Sequence, residues 1–126
     1  NYELWLDGGH NSHASEMLLD NLKKWKKENL FLIFGMINGK EPKEFLKKIL
    51  PLLKSLQVIP IKKHQYISSK EIQNIFKDEC GIIRSEKNIQ SSIKYITNNF
   101  TDGKIVICGS LYLAGDVLKS NGSLIT

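Results

Sequence analysis

The chain is poor in the residues and patterns that mark several common protein classes. Its two cysteines, Cys80 and Cys108, stand at no metal-ligand spacing, which argues against a zinc ribbon or a disulfide scaffold. Cys108 closes the apolar run Ile105-Val106-Ile107, where a buried thiol in a reducing compartment is expected. Arg84 is the only arginine, so the net charge of +5 comes from lysine. Base-reading and phosphate-clamping surfaces exploit arginine's planar fork, and a nucleic-acid partner is therefore not expected. The lysines read as solvated helix faces, or alternatively as a positive field that gathers an anionic substrate. No window approaches the roughly 20 apolar residues that span a bilayer, and no secretion signal opens the chain. A soluble, cytoplasmic protein without a membrane partner is expected. An initiator methionine is also missing, and Asn1 lies almost inside the first apolar run, so a piece of a longer protein is expected.

What the chain does hold is an alternation of two hydrophobic periods. Its 126 residues, 41% hydrophobic and 25% charged, suit one domain over residues 1–126 with a modest core. Tyr2, Leu4 and Leu6 form a first strand. Ala14, Met17, Leu18, Leu22 and Trp25 recur at helical spacing, with lysines 23, 24, 26 and 27 on the other face or in the last turn, which predicts a helix from about Asn11 to Lys27. Leu30 to Phe34 is a continuous apolar run, the pattern of a strand buried on both faces. Pro42 opens a helix bearing Phe45, Leu46, Ile49, Leu52, Leu53 and Leu56, kinked at Pro51.

Val58 to Ile61 reads as a weaker strand, with Pro60 suggesting an edge or a strand end. Ser68 or Ser69 caps a helix carrying Ile72, Ile75 and Phe76 that Gly81 ends, and Ile82-Ile83 makes a short strand. Ile89, Ile93, Ile96 and Phe100 define another helix. Thr101-Asp102-Gly103 turns into the strand Lys104 to Cys108, and a last helix carries Leu111, Leu113, Val117 and Leu118. Alternating strands and helices predict parallel pairing by right-handed crossovers. The expected fold is α/β: a Rossmann-like three-layer sandwich with a mostly parallel sheet of about five or six strands and helices on both faces.

Three strand ends carry candidate chemistry. Asp7-Gly8-Gly9-His10-Asn11 puts a carboxylate, an imidazole and two glycines at a strand's carboxyl tip, where ligands bind in open α/β sheets. Asp7 suits ribose hydroxyls or a metal-bound water, and His10 shares its pocket; the alternative is that Asp7 caps the helix and His10 lies on the surface. Gly35-Met36-Ile37-Asn38-Gly39-Lys40-Glu41 resembles a phosphate-binding loop but has three residues between its glycines, not four, and Glu41 where the magnesium-binding Ser or Thr belongs. Lys40 remains available to a ligand. The third is Cys108-Gly109-Ser110-Leu111-Tyr112-Leu113, where Ser110 either caps the last helix or, with Tyr112, holds a small polar substrate. No nucleophile and base pair is legible, because no elbow motif or third triad member accompanies Ser110 and His10.

Leu6-Asp7-Gly8-Gly9-His10-Asn11-Ser12-His13-Ala14, the Phe34-Gly35-Met36 strand end and Cys108-Gly109-Ser110-Leu111-Tyr112-Leu113 together resemble the C-terminal domain of folylpolyglutamate synthase/dihydrofolate synthase, in the Mur ligase superfamily. The similarity covers nearly all of the chain. The usual Asp-Gly-Ala-His-Asn-Pro-His appears with Gly9 for alanine and Ser12 for proline. The resemblance implies an ATP-dependent ligase that activates a folate or dihydropteroate carboxylate as an acyl phosphate, which L-glutamate then attacks. It also implies that the P-loop and the Mg2+ ligands belong to a larger N-terminal ATPase domain of the same chain, and that this domain alone is inactive. By the same resemblance Asp7 and Asn11 are nucleotide contacts, His10 helps complete the active site, and Ser110 and Tyr112 are substrate contacts, with no metal ligand in this chain.

A second reading is a stand-alone Rossmann-like nucleotide-binding or regulatory module without catalysis. A methyltransferase or nicotinamide-dependent oxidoreductase would call for G-x-G-x-x-G after the first strand, which Gly8-Gly9-His10 does not supply.

Overall fold

A computed structural model of the chain describes residues 2–7, 12–36, 42–61 and 65–108. Among them, β1 (Tyr2–Asp7), β2 (Leu30–Phe34), β3 (Ser55–Val58), β4 (Ile83–Ser85) and β5 (Gly103–Cys108) form one sheet in the order β1-β5-β2-β3-β4. Every pairing is parallel, as the alternation of periods predicts. The helices α1 (Ser12–Lys24), α2 (Pro42–Lys47), α3 (Ser69–Ile75) and α4 (Ile89–Asn99) supply the crossovers.

Two apolar layers lie on opposite faces of the sheet, and strand alternation sorts residues between them. Leu30, Leu32 and Phe34 of β2 face one way and join Leu18 and Leu22 of α1, Leu46 of α2 and Ile72 of α3. Phe31 and Ile33 face the other way and join Ile89 and Ile96 of α4. All five β2 residues are buried, which is why that segment reads as an unbroken apolar run. Each such side chain contributes roughly 1.5–3 kcal/mol of transfer free energy. The result is the expected three-layer sandwich, with α1, α2 and α3 on one face and α4 on the other.

Local signals account for several boundaries. Ser68 is the N-cap of α3: its hydroxyl accepts from the Glu71 N–H while the Glu71 carboxylate accepts from the Ser68 N–H, a reciprocal capping box. Asn88 and Ser91 do the same for α4. Pro51 lies in a 3-10 turn, Leu50–Leu52, so the helix opened by Pro42 ends at Lys47 instead of bending on through Pro51. Gly103 opens β5 at φ 146°, a backbone conformation closed to L side chains.

Three sequence expectations shift. The strand expected at Val58 to Ile61 is Ser55–Val58, and it is an interior strand between β2 and β4. Buried Ser55 and Gln57 disguised it: the Gln57 amide N–H donates to the Ser55 hydroxyl at 2.6 Å, which partly offsets their burial, while the Gln57 amide oxygen has no hydrogen-bond partner among the described residues. Ile59 and Ile61, beyond the strand, stay buried, and the Ile59 N–H donates to the Phe34 carbonyl at 2.9 Å. The α-helix expected to reach Gly81 stops at Ile75, after which Lys77–Ile82 winds as a 3-10 helix and β4 begins at Ile83. Met17 is 58% exposed although it was read with the buried stripe of α1; it sits about 100° around the helix from Leu18, at the stripe's margin. The last expected helix, from Leu111 to Leu118, lies outside the described residues.

Candidate functional site at the carboxyl edge of the sheet

One row of register partners crosses the entire sheet at its carboxyl end. Asp7 of β1 pairs with Cys108 of β5, Cys108 with Phe34 of β2, Phe34 with Val58 of β3, and Val58 with Ser85 of β4. Neighbouring strands lie about 4.8 Å apart, so the first three members of that row fall within about 10 Å. The three segments singled out in the sequence therefore leave the sheet side by side on one rim. A backbone bond tightens this corner further: the Gly35 N–H donates to the Cys108 carbonyl at 3.2 Å, joining the exit of β2 to the exit of β5.

The topology explains why the rim is suited to binding. The chain winds outward from β2 through β3 to β4 and then returns through α4 to insert β5 between β1 and β2. Connections that run in opposite senses leave a crevice beyond the carboxyl ends of the strands, where ligands of open α/β sheets bind. The start of the loop after β2 is held down: Met36 is buried and its carbonyl accepts from the Ile67 N–H at 2.9 Å. Cys108, 1% exposed, belongs to the core layer shared with α1 and α2 and is buried as expected.

Of the sequence candidates, Asp7 is the last residue of β1, in the rim row. His10, Asn11, Ser110, Tyr112 and Lys40 lie outside the described residues. Among the described residues no group of three or more His, Cys, Asp or Glu side chains is arranged to hold a metal ion, and the loop from Gly35 lacks the composition of a P-loop. No described helix is long and apolar enough to cross a membrane.

The perturbed titratable groups stand at the opposite, amino-terminal edge. Lys104, 7% exposed, donates to Glu3, lies 3.5 Å from Glu28 and sits 5.1 Å from the centre of the Trp25 ring. The hydrogen bond to Glu3 raises its pKa above the usual lysine range, partly opposed by burial and helped by Glu28. Burial, and then the nearby Asp102 charge, raise the Tyr2 hydroxyl. These are structural groups: they tie edge strand β1 and the turn between α1 and β2 to β5, far from the rim.

Sequence reading overlooked a cavity of about 500 Å3 at the other end of the rim row, lined by Val58, Pro60, Tyr66, Ser69, Ser85 and Lys87 among others. Val58 and Pro60 were legible only as part of a strand, and the serines at the start of α3 only as helix caps. Apart from those serines, the lining residues come from β3, the segment between it and α3, β4 and the turn after β4, and no spacing in the chain connects them.

A family model described as "Dihydrofolate synthetase, C-terminal domain" matches residues 1–120. The dihydrofolate synthase/folylpolyglutamate synthase of Buchnera aphidicola subsp. Baizongia pistaciae is 25% identical over 103 residues, 81% of this chain and 24% of that protein. The chain therefore spans about a quarter of the length of that curated relative. Folylpolyglutamate synthase of Mycobacterium tuberculosis, solved with ADP and AMPPCP, superposes with a TM-score of 0.75 at 18% identity, over 92% of this chain and 29% of that one. The bifunctional folylpolyglutamate synthase/dihydrofolate synthase of Yersinia pestis, complexed with AMPPNP and Mn ion, gives 0.74 at 18% identity, over 93% and 28%. At these identities the solved structures establish a shared fold. With the family model covering nearly its whole length, this chain belongs to the family of dihydrofolate synthetase C-terminal domains.

Proposed function

We propose that this chain is the C-terminal, glutamate-ligating domain of a larger two-domain cytoplasmic enzyme that joins L-glutamate to dihydropteroate, folate or both. In this reading ATP phosphorylates the substrate carboxylate, ADP leaves, and the glutamate amine attacks the acyl carbon as phosphate departs. Mg2+ and the phosphate-binding loop belong to the N-terminal ATPase domain of the same protein, where the metal would neutralise phosphate charge.

The observation that carries the reading is the register row that sets Asp7, Cys108 and Phe34 side by side. It supports a single wall from which the motifs at Asp7–Asn11, Gly35–Lys40 and Gly109–Tyr112 act together. Asp7 and Asn11 are assigned to the nucleotide, His10 to the reacting centre, and Ser110 and Tyr112 to the substrate. An acyl phosphate hydrolyses if water reaches it, so a wall that closes against a second domain both orients the amine and excludes solvent. Half of such a site cannot turn over alone, and the isolated chain is expected to be folded and inactive.

The test is glutamate incorporation by the whole protein that carries this chain. ATP-dependent addition of labelled L-glutamate to dihydropteroate or a folate, with stoichiometric ADP and phosphate, is expected. Nucleotide binding with no ligation to any folate or pteroate would favour a regulatory module instead.

A further inference from the structure

The rim row that starts at Asp7 ends at Val58 and Ser85, and both of these line the cavity beside β3 and β4. We propose that this cavity receives the γ-glutamyl tail of the substrate, the units that lie behind the carboxylate being extended. The inference rests on the ligase reading above and deepens it.

Position, size and chemistry support it. Val58 is two strands from Cys108 and Ser85 is three, a separation of about 10–14 Å along the rim. A γ-linked glutamyl unit has five bonds along its chain, each about 1.3–1.5 Å, and extends about 6 Å. Two units therefore bridge from the reacting corner to the cavity. The volume, about 500 Å3, lies within the ordinary range for a ligand pocket of roughly 300–1,000 Å3.

The lining matches a chain that alternates methylenes with carboxylates. Val58 and Pro60 provide an apolar floor, while Tyr66, Ser69 and Ser85 bring hydroxyl donors and Lys87 brings an ammonium. The other polar lining groups are already engaged. Ser68 caps α3 through the Glu71 N–H, and Glu86, which would repel a carboxylate, lies 3.5 Å from the Arg84 guanidinium. Lys87 is then the cation with which the tail pairs, and the three hydroxyls solvate its remaining carboxylate oxygens.

The experiment compares acceptors in the whole enzyme carrying Lys87→Ala, Ser85→Ala or Lys87→Arg, with folding checked by thermal denaturation. KM for a triglutamylated folate is expected to rise about tenfold in Lys87→Ala, the loss of one charge-assisted hydrogen bond. It is expected to rise less in Ser85→Ala and to be largely kept in Lys87→Arg. KM for ATP and for a monoglutamylated acceptor should not move. Equal changes for both acceptors, or no change for either, overturn the tail site. So does a wild-type enzyme that glutamylates dihydropteroate but refuses every glutamylated acceptor, a result that leaves the ligase reading standing. Calorimetric titration with γ-linked triglutamate gives a readout independent of turnover: weakening by Lys87→Ala is expected, and absence of binding to wild type overturns the site.

Discussion

Asp7 and Cys108 are register partners across parallel strands β1 and β5, although 100 residues of chain separate them. The pairing follows from the return of β5 into the gap between β1 and β2. It brings the exit of the first strand next to the exit of the last described one.

Replacing Asp7 by alanine in the whole enzyme is therefore expected to raise KM for ATP by about 10- to 100-fold, the loss of about 1.5–3 kcal/mol from a charged hydrogen bond. His10→Ala is expected to lower kcat instead. Steady-state kinetics with ATP varied at saturating L-glutamate separate the two effects, and wild-type values in both variants would remove these residues from the site.

Gly103→Ala tests the turn into β5. An added Cβ would meet the Asn29 carbonyl oxygen at 2.4 Å and the Phe31 ring at 2.7 Å, at a φ of 146° that alanine resists. Asn29 is fixed there because its carbonyl accepts from the Lys104 N–H at 2.9 Å. Strain and steric overlap together are expected to cost about 3 kcal/mol or more, read from the urea midpoint of the chain. A loss below about 0.5 kcal/mol would contradict the geometry.

Alkaline pH should weaken the fold through Tyr2 and Lys104, both of whose pKa values are raised in the folded state. Above about pH 10 the unfolded chain releases these protons while the folded one keeps them. Stability is then present below the unfolded pKa and lost as pH rises through the folded one. The Tyr2 hydroxyl also donates to the Phe100 carbonyl at 2.8 Å. Tyr2→Phe should cost about 1 kcal/mol at neutral pH, and the deficit should shrink above pH 10 in denaturant melts, since wild type alone loses the tyrosine contribution. A deficit that stays constant to pH 11 would count against the Tyr2 assignment.

Ser68→Ala removes the side-chain half of the α3 capping box. A loss of about 1 kcal/mol in global stability is expected, with Ser68→Gly costing only a few tenths. Hydrogen exchange should quicken at the start of α3 and leave the β2 amides unchanged.

Much of the architecture was legible in the chain because its signals are local. Leu30 to Phe34 is apolar at every position since the strand is covered on both faces, and the strand was read with its observed ends. The α4 stripe of Ile89, Ile93, Ile96 and Phe100 is equally direct. β3 was misread by three residues because Ser55 and Gln57 are polar yet buried, held by a hydrogen bond from the Gln57 amide N–H to the Ser55 hydroxyl that composition does not reveal. Ile75 followed the helical spacing of α3 yet is 40% exposed, since only Ile72 and Phe76 face the sheet closely.

By itself the sequence determined the alternation of strands and helices, though not every boundary, that the strands run parallel, and that three motif-bearing segments sit at strand ends. Those features depend on residues a few positions apart, through side-chain periodicity and capping. Only the tertiary structure decided that β5 inserts beside β1, that Asp7, Cys108, Phe34, Val58 and Ser85 form one row, and that a cavity opens at its far end. Strand order is set by how two helical layers share the faces of a sheet, and no local pattern encodes which strand takes which place.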